Sequence, residues 1–282
     1  MKEELNNKNY HGTEMRKEYM GYSQFKDFEK CEVMALAKIN GEFEQPKTEA
    51  LLFGAWVDAH FSGEEEEFIE ENKELLFSPK TGKMYAAFNG VQKVIDFIEN
   101  YTNDEGEKPL LKYWQGEHQV IMTGTIAGVP VKIKIDSYFP GKCIVDGKCM
   151  RDMEKVWVEV AGRNTLLDFV SAYDYPMEGA LYQEIENQNA KKENPSAKKL
   201  PFVLNVVTKE EVPNADLILI DQDILDASLE RFEAKAPRYQ RIKLGLEQPI
   251  GCGKCPVCIA RKQIYAPKSY RKTYLEDKED DE

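Results

Sequence analysis

Apolar residues recur along this chain at two different spacings, and the changes between them divide it. Phe25, Phe28, Cys31 and Leu36 fall at roughly helical intervals after Ser23, which predicts one helix with Ser23 as its cap. Leu51, Leu52, Phe53, Trp56 and Val57 predict a second helix, from 49 to about 61, capped by Thr48. Residues 91–101 read as a third amphipathic helix. From Trp114 onward the spacing changes. Residues 118–125 have strand character, and positions 129, 131, 133 and 135 are apolar in Val129-Pro-Val-Lys-Ile-Lys-Ile-Asp136. That period of two predicts a half-buried strand. Phe139-Pro-Gly-Lys142 predicts a turn, and Cys143-Ile-Val-Asp146-Gly-Lys148 the returning strand. A mixed segment follows. Helices are then predicted at 175–188 and 221–244, and strands at 202–208 and 215–220. The succession predicts an α/β fold with a helical N-terminal region.

Composition narrows the function more than the fold. Of 282 residues, 42% are apolar and 11% aromatic, enough to bury a core. Fifty acids against thirty-eight bases give −12, which excludes gripping nucleic acid by bulk positive charge. A nuclease stays open, because a metal site gathers carboxylates of its own. The start, Met1-Lys-Glu-Glu-Leu-Asn-Asn-Lys8, is polar, and no run approaches the roughly 18–20 apolar residues of a membrane span. The expectation is a soluble cytoplasmic protein with no membrane partner. There the six cysteines suggest metal binding or packing before disulfides. No Walker A loop is present, and three histidines scattered at 11, 60 and 118 argue against a His-rich zinc hydrolase.

The candidate chemistry lies on the predicted hairpin. Pairing about a turn near Pro140 and Gly141 places Asp136 close to Val145 or Asp146, within roughly 5–8 Å. Asp146 and Lys148 are two apart and share a strand face. Two such carboxylates repel unless a cation joins them, and a hard ion such as Mg²⁺ suits oxygen ligands. A lysine beside it can hold or deprotonate water, which fits metal-assisted hydrolysis of a phosphodiester. The ordinary alternative is an exposed charged hairpin; apolar strands on both sides favour the functional reading.

Ile-Lys-Ile-Asp136 followed by Ile-Val-Asp146-Gly-Lys148 resembles the PD-(D/E)XK nuclease signature. The wider run, Lys148-Cys-Met-Arg-Asp-Met-Glu-Lys155 and then Tyr-Asp-Tyr-Pro-Met-Glu-Gly-Ala-Leu-Tyr182-Gln-Glu, resembles phage and prophage exonucleases of the RecE/RecB-like branch, including exodeoxyribonuclease VIII-like domains. The resemblance implies a restriction-endonuclease-like core, a small mixed sheet flanked by helices. It implies Mg²⁺ or Mn²⁺ bound by Asp136, Asp146 and the Gly147 carbonyl, with Lys148 positioning the attacking water. Such families often carry G-x-x-x-H upstream. Here Gly54-Ala-Trp-Val-Asp58 places Asp58 at the histidine position, with His60 as the rival. Residues two apart on a helix diverge by about 200°, so both do not easily bind one ion. The family's Q-x-x-x-Y reads Glu178-Gly-Ala-Leu-Tyr182, which leaves Glu178 to hold Lys148 or a second metal. Glu117 opens the first strand, where relatives often have an acid near the metal.

Cys252-Gly-Lys-Cys255-Pro-Val-Cys258 places three thiols within seven residues, and Zn²⁺ or an Fe–S cluster needs a fourth. Related nucleases with an iron staple use one cysteine before the core and three after it, which implies Cys31 as the fourth ligand. Zn²⁺ stays open, and a 4Fe–4S cluster is preferred. Cys143 and Cys149 read as packing residues. Residues 261–274 carry Arg261, Lys262, Lys268, Arg271 and Lys272 with Tyr265, Tyr270 and Tyr274, suited to phosphates and unpaired bases or to a plain solvated surface.

These readings predict a flexible leader (1–13), one nuclease domain (14–275) and an acidic tail (276–282). The domain divides into a helical part (14–110), a catalytic core (111–220) and a C-terminal helix with the cysteines (221–275). The function expected is a Mg²⁺-dependent DNA exonuclease acting at duplex ends. From the resemblance come a phage-type recombination role in a bacterial host, a single-strand annealing recombinase as partner and a homo-oligomeric assembly. The alternatives are a nuclease-like module that binds DNA or protein without cutting, and a metal-stapled structural protein.

Overall fold

In a computed structural model, residues 4–160, 162–267 and 269–271 are described. The helices are α1 (Thr13–Glu18), α2 (Tyr22–Lys30), α3 (Glu32–Ile39), α4 (Glu49–Ser62), α5 (Glu65–Glu71), α6 (Lys73–Leu76), α7 (Val91–Asn100), α8 (Pro109–Lys112), α9 (Phe169–Tyr173), α10 (Tyr175–Glu193), α11 (Gln222–Lys243) and α12 (Pro256–Ala260). The strands are β1 (Glu117–Ile126), β2 (Val129–Phe139), β3 (Cys143–Met150), β4 (Val156–Val160), β5 (Arg163–Leu167), β6 (Phe202–Thr208) and β7 (Ala215–Leu219).

Five strands form one mixed sheet in the order β1-β2-β3-β6-β7. Only the β3–β6 pair is parallel; its neighbours run antiparallel. A parallel pair needs a crossover, and α10 lies within it. Every residue of β6 is buried, as expected of a central strand covered on both faces. On one face, Val131, Ile133, Ile144, Phe202 and Leu204 pack with Phe25, Phe28, Leu181, Ile185 and Phe232 from α2, α10 and α11. On the other, Val207 and Cys149 pack with Leu52, Phe53, Trp56, Val57 and Ile95 from α4 and α7. The result is the expected α/β fold, a small mixed sheet between two helical layers. No described helix is long and apolar enough to cross a membrane.

Three local expectations need correction. The single helix after Ser23 is two, α2 and α3, because Cys31 is extended at φ −167° and ψ 110° and interrupts the helical turn. Ser23 lies inside α2 and Gly21 takes the cap position. The leader is anchored where it is described: Tyr10 is buried, its hydroxyl donates to Lys132 O at 3.5 Å, and the Lys132 ammonium donates to Tyr10 O. The mixed segment after β3 holds a separate hairpin, β4–β5, and the short helix α9. The expected acidic tail, with Lys268, Lys272 and Tyr274, lies outside the described residues.

Candidate active site

The site begins where two strands part. β2 and β3 pair only through Ser137–Val145, Tyr138–Ile144 and Phe139–Cys143. Asp136 and Asp146 are the next residues on each strand, at the opening of the split. Strict alternation fails at the same place: Ile133 and Ile135 enter the α10 side of the core, and so does Tyr138. Across the sheet, the β1–β2 register runs through His118–Ser137 and Val120–Ile135, passing over Gln119 and Asp136. Gln119 has φ 53°, in the left-handed region that side chains rarely adopt.

This bend brings Asp136 to β3. Its Oδ2 accepts a hydrogen bond from the Gly147 N–H at 3.0 Å. Gly147 itself admits no side chain, because a Cβ there would lie 2.1 Å from Trp114 Cη2. Lys148 lies 2.5 Å from Asp146 Oδ2 and 3.0 Å from Glu178 Oε2. Both are close ion pairs. Its ammonium also sits 5.0 Å from the centre of the Tyr175 ring. Glu178 and Tyr182 are one helical turn apart on α10, and the Tyr182 hydroxyl donates to Glu178 Oε1 at 3.4 Å.

From the opposite layer, α4 supplies Asp58. The Gln119 side-chain amide donates to Asp58 Oδ2 at 2.7 Å, while Asp58 Oδ1 is buried without a hydrogen-bond partner. His60 is turned elsewhere. Its Nδ1 meets Glu65 at 2.7 Å and its Nε2 meets Glu99 at 3.3 Å. Burial pulls the His60 pKa down, but these two hydrogen bonds outweigh it and the net shift is upward. Glu117 is exposed at the start of β1, opposite Tyr138, unlike the buried members of the set.

The electrostatic shifts share one sense. Burial pushes Asp58 up to about 6, against the pull of Lys134, and Asp146 adds to the rise. Burial pushes Asp136 up to about 7, with the Asp58 charge next, against Lys148 and the Gly147 N–H. Asp146 is driven upward by burial and by Glu178. For Lys148, burial opposes the charge, yet Asp146, Glu178 and Asp136 together raise its pKa well above the ordinary value. Asp58, Asp136 and Asp146 are thus all held above the ordinary carboxylate range beside one ammonium, and a hard cation is their natural complement. The oxygen donor set and the orphaned Asp58 oxygen fit such an ion.

The structure thus gathers Asp58, Asp136, Asp146, Gly147, Lys148, Glu178 and Tyr182, and leaves His60 and Glu117 aside. Gln119, Trp114 and Tyr175 were not legible as site residues, since no motif marks them. The nearest sequence signal is Gln119's place opposite Asp136. At the other end of the chain, the sulfurs of Cys31, Cys252, Cys255 and Cys258 lie within 4.8 Å of one another and could hold a metal. Beyond them, Arg261 is tied to Glu42 at 2.6 Å, and Tyr265 is exposed.

Comparison with known proteins gives the family. Residues 21–261 match the family described as a PDDEXK-like domain of unknown function (DUF3799). No curated protein matches the chain. A crystal structure from Eubacterium rectale, named "Putative exonuclease", is similar with a TM-score of 0.85 and 35% identity, covering 97% of this chain and 99% of that one. With the split β2–β3 pair carrying Asp136, Asp146 and Lys148, and a family match across most of its length, the chain belongs to the PDDEXK-like family DUF3799.

Proposed function

We propose that the chain is a Mg²⁺-dependent (or Mn²⁺-dependent) nuclease that hydrolyses DNA phosphodiesters. One observation carries the reading: Asp136 is tied to the Gly147 N–H beside Asp146 and Lys148, and a partnerless oxygen of Asp58 is buried in the same charge cluster. Asp58, Asp136, Asp146 and the Gly147 carbonyl would hold the ion. Bound there, a divalent ion would neutralise phosphate charge and would make water a competent nucleophile near neutral pH. Lys148, kept charged by its acidic neighbours, orients that water and offsets charge growing on the phosphate. Glu178 positions Lys148, and Tyr182 steadies Glu178. Glu117 and His60 enter no step.

The exonuclease reading draws on the neighbour's name and on the resemblance in sequence; duplex ends are the proposed substrate. A recombination role, an annealing recombinase as partner, a homo-oligomer and a cytoplasmic place in a bacterial host rest on the resemblance alone. The test is digestion of end-labelled linear duplex beside closed circular DNA, with and without Mg²⁺. The account expects loss of the linear label only with Mg²⁺ and no attack on the circle. Cutting of the circle would contradict exonuclease action, and binding without any cutting would leave a DNA-holding module.

A further inference from the structure

The four cysteines form a site whose size discriminates between the ions that could fill it. Cys31 Sγ lies 3.6 Å from Cys258 Sγ and 3.7 Å from Cys255 Sγ. All four sulfurs fit within 4.8 Å of one another. A tetrahedral Zn²⁺ with Zn–S bonds of about 2.3 Å sets its sulfurs about 3.8 Å apart. In a 4Fe–4S cluster each thiolate binds a different iron, so the body of the cluster spreads the sulfurs beyond this enclosure. The residues therefore fit a single ion and not the cluster that the sequence resemblance favours.

We propose that Cys31, Cys252, Cys255 and Cys258 hold one structural Zn²⁺. The backbone is already shaped for thiolates. The N–H groups of Cys252, Cys255 and Cys258 donate to the sulfurs of Cys31, Cys252 and Cys255 at 3.4, 3.3 and 3.4 Å. Such bonds stabilise negative sulfur and fix its direction. Gly253 takes φ 71°, which lets the chain turn between Cys252 and Cys255. Gly251 must be bare, because a Cβ there would lie 2.9 Å from Cys258 Sγ. The extended backbone at Cys31 ends α2 and begins α3, delivering the fourth thiol from the far end of the sequence. Four protein ligands leave no open position, which marks a structural and not a catalytic ion. The ion clasps α3 to the segment carrying α12, beside the Val33 N–H to Ile250 O bond at 3.4 Å.

The test needs no DNA and is independent of the nuclease reading. The full chain is purified anaerobically without chelator, its metals and acid-labile sulfide are measured, and the site is refilled with Co²⁺. The expected result is one zinc per chain with neither iron nor sulfide, and a Co²⁺ spectrum of tetrahedral thiolate type. Cys31→Ser should lose the Co²⁺–thiolate bands and the zinc. If that variant does not fold, the metal content of the native protein decides. Stoichiometric iron with sulfide would overturn the proposal. So would four freely reactive thiols in a chain that takes up no added zinc.

Discussion

Two regions of this molecule gather ligands for an ion, and they do so by opposite means. At the β2–β3 split, buried carboxylates face one another around a single ammonium, and an oxygen of Asp58 has no partner. At the cysteine clasp, three sulfurs receive a backbone N–H and all four lie within 4.8 Å of one another. The first is crowded with like charge and draws its ligands from β2, β3 and α4. The second is closed and joins distant parts of the chain. The difference teaches that the proposed catalytic set leaves an Asp58 oxygen without a partner, whereas the proposed structural set turns backbone N–H groups onto three of its four sulfurs.

The contrast makes the largest effects separable. Asp136→Asn or Asp146→Asn should reduce Mg²⁺-dependent cleavage to background while the zinc content stays whole; measuring both on one preparation shows whether the regions are independent. Cys31→Ser should do the reverse. It should lower stability by about 4 kcal/mol or more, as loss of a structural metal does, which denaturant unfolding would read. Unchanged stability would sink the clasp.

Smaller effects probe the scaffold of the split. Gly147→Ala drives a methyl against Trp114 and should cost about 1–3 kcal/mol, with cleavage falling as the Gly147 N–H leaves Asp136. An alanine variant as stable and active as the native chain would refute the close approach. Gln119→Ala strips Asp58 of its hydrogen-bond donor and should weaken Mg²⁺ dependence by about 10–100-fold, read as a shift in the ion concentration needed for half activity.

The gentlest change expected is with pH. Asp136 is raised by burial, then by the Asp58 charge, from 3.8 to about 7. In that window the folded protein holds a proton that the unfolded chain has released, so metal-free stability falls as pH rises. Asp58, raised mainly by burial to about 6, acts in the same sense. Mg²⁺ should restore stability above the window, because it binds the deprotonated acids. Melting profiles with and without Mg²⁺ check the sign; stability rising with pH in the metal-free protein would show that the acids are not buried together.

How far this was readable from residues alone depends on distance along the chain. The alternation over 129–135 and the short return to Asp146 and Lys148 are local, and they revealed the hairpin and its charged end. The choice between Asp58 and His60 was open, because spacing does not tell which way a helix is rotated; the pairing of His60 with Glu65 and Glu99 turns it away. Gln119's left-handed backbone and the Trp114 ring across Gly147 arise from tertiary packing, and no pattern announces them. The same holds for Cys31, whose helical spacing predicts continuation although its extended backbone ends one helix and begins the next. The β4–β5 hairpin stayed hidden in a mixed segment because it pairs only with itself and leaves Trp157 exposed.

The most direct test of the split is the rate of Mg²⁺-dependent phosphodiester cleavage by the native chain and by Lys148→Ala, at matched folded concentration. The account predicts measurable hydrolysis by the native protein and a fall of about 10²–10³-fold in the variant. Equal rates in the two, or no hydrolysis by the native chain at any Mg²⁺ concentration, would contradict it.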